Sequence, residues 1–103
     1  MNYVSTRNSS KEFTFEDVFI KGLADDGGLF IPKSIEKFND KQLNNLRKKN
    51  YKELATEIIS KFTGDFIDKI TLSKLINKSY STFRENEVVK ISQAGNYNIL
   101  ELF

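Results

Sequence analysis

The stretch Gly22-Leu23-Ala24-Asp25-Asp26-Gly27-Gly28-Leu29-Phe30-Ile31-Pro32 decides how the chain is read. It joins a helix end, a two-glycine turn and a short apolar strand stopped by the only proline. Gly27 and Gly28 permit positive φ, or a close backbone approach that a side chain would block. Pro32 has no N–H for a ladder, so a strand over Leu29–Ile31 is expected to end there or to run along a sheet edge. Asp25 and Asp26, just ahead of the glycines, suit a cation, backbone amides or plain solvent. The residues alone leave these three open.

Upstream of the turn, Tyr3-Val4-Ser5-Thr6 is β-prone and a polar loop follows from Arg7 to Glu12. Thr14 and Asp17 have the spacing of a capping box, and Phe13 and Val18 that of a hydrophobic staple. Phe15, Val18, Phe19 and Leu23 then form one apolar stripe at helical spacing. A helix is therefore expected to deliver the chain into the turn.

Downstream, Lys33–Asn39 reads as a loop, and Asp40 is placed to cap a helix over Lys41–Lys49. The stripe of that helix is only Leu43 and Leu46. Its closing Arg47-Lys48-Lys49 suits the partially negative carbonyl end of a helix, or else an anionic partner. Asn50 and Glu53 repeat the cap and reach-back spacing. Tyr51, Leu54, Ala55, Ile58, Ile59 and Phe62 follow as a core stripe, with Gly64 where a left-handed residue ends a helix. Thr71 is read as opening a second such helix, with Leu72, Leu75, Ile76, Ser79, Tyr80 and Phe83 on its stripe. With Asp65–Ile70 between them, the two helices are expected to pair antiparallel.

From Glu87 the pattern becomes that of a hairpin: Val88-Val89-Lys90-Ile91, the turn Gly95-Asn96, then Tyr97 to Phe103. Its second arm stops inside an apolar strand, which is expected of a piece cut from a longer chain, because an apolar edge invites aggregation.

At 103 residues the chain is long enough for one domain with a core. It has no cysteine and no histidine, which excludes disulfides, zinc-finger ligand sets, thiol nucleophiles and imidazole acid–base chemistry from these residues. The net charge of +2 gives no argument for nucleic acid. No apolar run approaches the roughly 18 residues of a membrane span, and the N-terminus lacks the apolar core of a signal peptide. No phosphate-binding loop, dinucleotide fingerprint, nucleophile elbow or metal-ligand cluster is present. A cytoplasmic α+β protein is expected.

Taken in order, Tyr3-Val4-Ser5-Thr6-Arg7, the helix Phe15-Glu16-Asp17-Val18 with its glycine turn, the helix Tyr51–Phe62 and the terminal Leu100-Glu101-Leu102-Phe103 resemble the N-terminal end of threonine synthase. The resemblance spans the chain. One departure is Asn8, where members commonly carry glycine; asparagine tolerates left-handed backbone, so the turn can survive. The resemblance implies a mostly helical small domain with a short sheet over residues 1–85. Residues 86–103 would form the first hairpin of an α/β, tryptophan synthase β-like catalytic body. It implies an enzyme converting O-phospho-L-homoserine and water to L-threonine and phosphate with pyridoxal 5′-phosphate. The lysine forming the cofactor's imine would lie after Phe103, so no lysine here inherits that role and the piece alone is expected to be inactive. No catalytic, cofactor or metal residue is assigned. Arg7 is the candidate substrate contact, because a planar guanidinium suits a phosphate ester. The alternative is an arginine that closes the N-terminus. Two other readings stay open: an interaction module on the same fold, and a relative acting on another phosphorylated amino compound.

Overall fold

The computed structural model describes residues 1–83 and 89–101. It is a small α+β domain whose order is β1 (Tyr3–Ser5), α1 (Phe15–Lys21), β2 (Phe30–Pro32), α2 (Asp40–Leu46), α3 (Tyr51–Thr63), a 3-10 turn (Gly64–Phe66), α4 (Lys69–Ser81), β3 (Lys90–Ala94) and β4 (Tyr97–Glu101). The strands form two separate antiparallel pairs, β1 with β2 and β3 with β4. Val88, Leu102, Phe103 and the expected boundary at residue 85 lie outside the described residues.

In the first pair, Tyr3, Val4 and Ser5 stand opposite Pro32, Ile31 and Phe30. The strand is therefore shifted one residue from the expected Leu29–Ile31 and takes in the proline. Hydrogen-bond alternation explains this. Thr6 N donates to Leu29 O (2.9 Å) and Lys33 N to Asn2 O (2.8 Å), so pairs 2/33 and 6/29 carry bonds. Bonded and non-bonded pairs alternate, which leaves Tyr3/Pro32 non-bonded. The missing proline N–H then costs no ladder bond. Tyr3 turns its own N–H and carbonyl to Phe13 on the other side, at 2.9 Å each way.

Thr14 caps α1 with the full box: its hydroxyl accepts from Asp17 N, and the Asp17 carboxylate accepts from Thr14 N. Phe13, just before it, packs its ring edge-on against Phe30 at 4.9 Å. The expected stripe is only partly covered. Phe15 and Val18 are half-buried, whereas Phe19 is 70% and Leu23 62% exposed.

Two helix starts differ from the sequence reading. Asn39, not Asp40, caps α2, because Gln42 N donates to Asn39 Oδ1 while Gln42 Oε1 accepts from Asn39 N, both at 2.9 Å. Where two capping residue types adjoin, the reach-back partner decides. Asp40 becomes the first helical residue, with its charge at the positive end of the helix. The helix also ends at Leu46, and Lys48 and Lys49 close it with turn bonds to Asn45 and Leu46 carbonyls. Asp68, not Thr71, caps α4: its Oδ1 accepts from Ile70 N at 3.0 Å and Thr71 N at 2.9 Å. Thr71 is the third helical residue and gives its hydroxyl to the same carboxylate at 2.6 Å.

Asn50 and Glu53 cap α3 as expected, and the helix stops at Gly64, whose φ is +57° and ψ −134°. That is positive φ but outside the left-handed helical basin. The helices α3 and α4 run antiparallel. Tyr51 meets Tyr80 at one end, with hydroxyls 3.0 Å apart, and Glu57 meets Lys69 toward the other at 2.6 Å. Leu72 and Ile76 are buried between them, with Leu54, Ala55, Ile58 and Phe62 half-buried. The expected core position Leu75 is instead 51% exposed, as are Tyr51, Ile59 and Phe83 in similar degree. A two-helix contact covers only the seam, and the flanks of a broad stripe stay open. Thr56 and Thr63 are buried in α3 and donate to the carbonyls of Lys52 and Ser60, so they bring no unmet polar group inside.

Tyr3 fastens this helix pair to the sheet. Its hydroxyl donates to Phe62 O at 2.7 Å, and its ring lies 6.2 Å from Phe15, which also meets Phe66 at 5.4 Å. Burial raises the pKa of the Tyr3 phenol. The second pair is a hairpin in which Ala94 faces Tyr97 across the two-residue turn Gly95-Asn96. Gly95 has φ +62°, and among the described residues no non-glycine residue has positive φ, so glycine alone takes the positive-φ first position of the turn, the pattern of type II′.

Two outcomes follow for stability. Ile76→Ala should cost about 2–5 kcal/mol in chemical denaturation, whereas Leu75→Ala should cost less than about 1 kcal/mol, since half of its surface already meets water. Equal losses would contradict this placement of the seam. The carboxyls of Asp17, Asp68 and Glu57 are held below their ordinary values, by the Thr14 hydroxyl, the Thr71 hydroxyl and Lys69 respectively as the first cause. A carboxyl with a lower pKa folded than unfolded stabilises above its ordinary value of about 4 and loses that contribution as pH falls through the folded value. The melting temperature should therefore drop between about pH 5 and pH 2. A flat profile there would remove these groups from the stability of the fold.

Candidate functional site

The glycine turn and the end of β1 interlock. Thr6 and Leu29 pair twice: Thr6 N donates to Leu29 O at 2.9 Å, and Leu29 N donates to Thr6 Oγ1 at 3.0 Å. Beside them the Asp26 carboxylate accepts from Ser5 Oγ and from Gly28 N, each at 2.8 Å, on the same oxygen. Ser5 Oγ in turn accepts from Arg7 N at 3.1 Å. Arg7 then folds over the turn and donates from Nη1 to the Asp26 carbonyl at 3.0 Å.

The two glycines are required for different reasons. Gly27 has φ +76°, and a Cβ there would stand 3.0 Å from Arg7 Nη1. Gly28 has no unusual φ; a Cβ on it would fall 2.2 Å from Ser5 Oγ, inside the hydroxyl that Asp26 uses. Gly27 thus supplies the backbone bend and Gly28 the close approach.

The adjacent acids have separate surroundings. Asp25 is 77% exposed and pairs with Lys21 one helical turn back. The Asp26 carboxyl is held below its ordinary value by the Gly28 N–H first, then by the Ser5 hydroxyl, with the Arg7 charge adding to them. Of the three roles open to this pair in the sequence, Asp26 takes the capping of backbone amides and Asp25 lies in solvent.

Arg7 is exposed. One of its five N–H donors is engaged on Asp26 O. The chain end next to it does not need left-handed backbone: Asn8 has no positive φ, and its Oδ1 accepts from Ser10 N at 3.0 Å and Ser10 Oγ at 2.7 Å. Asparagine here holds the loop by its side chain, where glycine would act through backbone freedom. The sequence reading singled out Arg7, Gly27 and Gly28, and the structure brings all three together. It missed Ser5 and Thr6, and it left the role of Asp26 open among three. Asp26 carried a local signal, since an aspartate two residues before a glycine N–H can bond to it; the serine and threonine lie across the chain and carried none.

A groove of about 710 Å³ lies elsewhere, lined in part by Met1, Glu12, Lys33, Phe38 and Lys61. Its charges already have partners: Glu12 holds Lys33, and Lys61 sits 4.5 Å from the Phe38 ring and 4.0 Å from Glu36.

Substituting Val at Gly27 or Gly28 should destabilise the domain by more than about 2 kcal/mol, through positive φ in the first case and collision with Ser5 in the second. Asp25→Asn should change stability by less than about 0.5 kcal/mol, as an exposed pair does. Thermal melts that ranked Asp25→Asn as the damaging change would reverse this assignment.

The family model described as threonine synthase N terminus matches residues 2–80. The chain is 40% identical to threonine synthase of Schizosaccharomyces pombe over all of its own length and 20% of that relative's. It is 42% identical to threonine synthase of Saccharomyces cerevisiae over 98% of its own length and 21% of the relative's. Human threonine synthase-like 2 is 36% identical over the whole chain and 22% of its own length. Among solved structures, the PLP-bound threonine synthase from Brucella melitensis superposes with a TM-score of 0.83 and 38% identity, over the whole chain and 22% of that protein. The Escherichia coli threonine synthase has a TM-score of 0.78 at 20% identity, which shows the shared fold. The chain thus spans about a fifth of the length of the relatives it matches. With more than half of its residues matched by the family model and the interlocked glycine turn in place, the chain belongs to the threonine synthase family, as its N-terminal part.

Proposed function

We propose that these residues form the N-terminal part of an enzyme that converts O-phospho-L-homoserine and water to L-threonine and phosphate, using pyridoxal 5′-phosphate, in the cytoplasm. The observation that carries the reading is the whole-chain likeness, in sequence and fold together, to threonine synthases that include a PLP-bound structure.

Pyridoxal phosphate chemistry requires a lysine imine, an anchored phosphate and a partner for the ring nitrogen. The residues at hand do not fit that group. None of the thirteen lysines is buried. Lys21, Lys33, Lys49, Lys61 and Lys69 face carboxylates at the surface. The imine lysine and the cofactor's other holders are assigned to the catalytic body beyond Phe103, and no chemical step is assigned to residues 1–103. Residues 1–85 serve as an accessory domain that covers one side of the active site and braces the catalytic body, and 86–103 begin that body. Arg7 is offered as a contact for the substrate's phosphate: it is exposed, and donors beyond the one on Asp26 can address an anion in bidentate fashion.

A second reading is that the full-length protein acts on another phosphorylated amino compound, since a fold does not fix the reaction it carries. The Phe-bearing faces would equally suit a free-standing interaction module, which the DNA downstream of codon 103 distinguishes.

Borohydride reduction of the full-length protein loaded with pyridoxal phosphate, followed by peptide mass mapping, tests the assignment. One lysine outside residues 1–103 should be labelled stoichiometrically, and phosphate release should require the full-length chain. Stoichiometric labelling of a single lysine within residues 1–103 would place the catalytic centre here and sink the reading.

A further inference from the structure

We propose that Asp26 is a positioning residue that aims Arg7 at the anionic group of the substrate, through bonds at both ends of the aspartate. The inference rests on the reading of Arg7 as a phosphate contact. Its support is a closed loop of contacts. The carboxylate ties the buried Ser5 hydroxyl (4% exposed) to Gly28 N, at 2.8 Å each. The carbonyl of the same residue takes Arg7 Nη1 at 3.0 Å. Arg7 is also held at its backbone, where its N–H donates to Ser5 Oγ at 3.1 Å. The arginine is therefore tied at its root and near its tip to two residues that are bonded to each other.

An exposed arginine normally samples many rotamers, and fixing one of them costs side-chain entropy. Here that cost is met before any anion arrives, which is how preorganisation improves binding. Gly27 contributes by having no side chain: its Cβ position lies 3.0 Å from Nη1, so any larger residue would push the guanidinium off the turn. Asp25, one residue away, lacks these ties and pairs with Lys21 in solvent. A carboxylate needed only to close the turn would leave Arg7 outside the loop. In this turn the carbonyl of the capping residue is the one that receives the guanidinium.

The test is steady-state kinetics of the full-length enzyme on O-phosphohomoserine, with Asp26→Ala, Asp26→Asn, Arg7→Lys and the double variant Asp26→Ala/Arg7→Lys. Asp26→Ala should raise KM about three- to tenfold with kcat changed less than about twofold, the pattern of a lost binding contact. Asp26→Asn should restore most of the loss, because an amide oxygen accepts the same two bonds. Added to Arg7→Lys, Asp26→Ala should change KM less than about twofold more, because residues acting through one group are not additive. If Asp26→Ala fails to fold, Ser5→Ala removes one arm of the carboxylate and should show the same dependence on Arg7. An effect of equal size in the Arg7→Lys background would overturn the inference, as would a wild-type KM for Asp26→Ala beside a raised KM for Arg7→Lys. An unchanged KM for Arg7→Lys would instead remove Arg7 from the site, and the inference with it.

Discussion

Pairing of residues 2–6 with 29–33 is the constraint on which the rest depends. It is a short ladder, yet Tyr3, Val4 and Ser5 are among the most buried residues of the chain. Each of the three faces a different neighbour. Tyr3 reaches α3 through its hydroxyl and α1 through its ring, Val4 stands opposite Ile31, and Ser5 holds the turn through Asp26. A register slip of one residue would exchange the faces of the strand. It would take Tyr3 off Phe62 and Ser5 off Asp26 at once, separating the helix pair and the glycine turn from the sheet. The register is pinned by proline at a non-bonded position and by the reciprocal Thr6–Leu29 pair.

Helix caps were legible in the sequence where both partners lie within one turn. Thr14 with Asp17 and Asn50 with Glu53 stand as read, because the box is a local geometry that needs nothing from the rest of the chain. The two caps read off their true positions lie at Asn39, which adjoins the expected Asp40, and at Asp68, three residues before the expected Thr71; in each case two capping residue types compete within one turn. The choice rests on which one meets a reach-back or side-chain partner. Helix pairing was legible from two matching stripes, but the buried edge was not. Leu72 and Ile76 are inside and Leu75 outside because a single partner helix covers a narrower arc than the stripe spans.

The candidate site was legible as a list of residue types rather than as an arrangement. Glycine's special backbone can be read from a Gly-Gly pair, and Arg7 from its chemistry. Their meeting depends on a ladder that joins residues more than twenty positions apart, and no periodicity announces that contact. The two glycines illustrate the limit. The sequence assigned both the same freedom, whereas Gly27 needs positive φ and Gly28 needs an absent Cβ against Ser5. The first leads to Arg7 and the second, through Ser5, to Asp26.

The apolar surfaces that remain uncovered share a cause with the site's position. Phe19 on α1, Leu23 just after that helix and Leu29 just after the glycine turn are all exposed, with the Ala24–Gly28 bond of 3.1 Å between the last two along the chain. In the hairpin, Ile91 and Leu100 are opposite each other on one face, and Tyr97 and Ile99 occupy the other; all four are exposed. A two-stranded ribbon cannot bury both of its faces by itself and is marginal in water. Exposed apolar residues on this scale call for a covering surface. In the proposed full-length enzyme the catalytic body would supply it. The glycine turn would then sit between the α1 patch and β1, with Arg7 folded over it. Under the proposed function, docking by this patch would carry Arg7 to the interface on a segment tied to β1 through Asp26 and Thr6. That is where a contact to a substrate held mainly by the other domain requires rigidity.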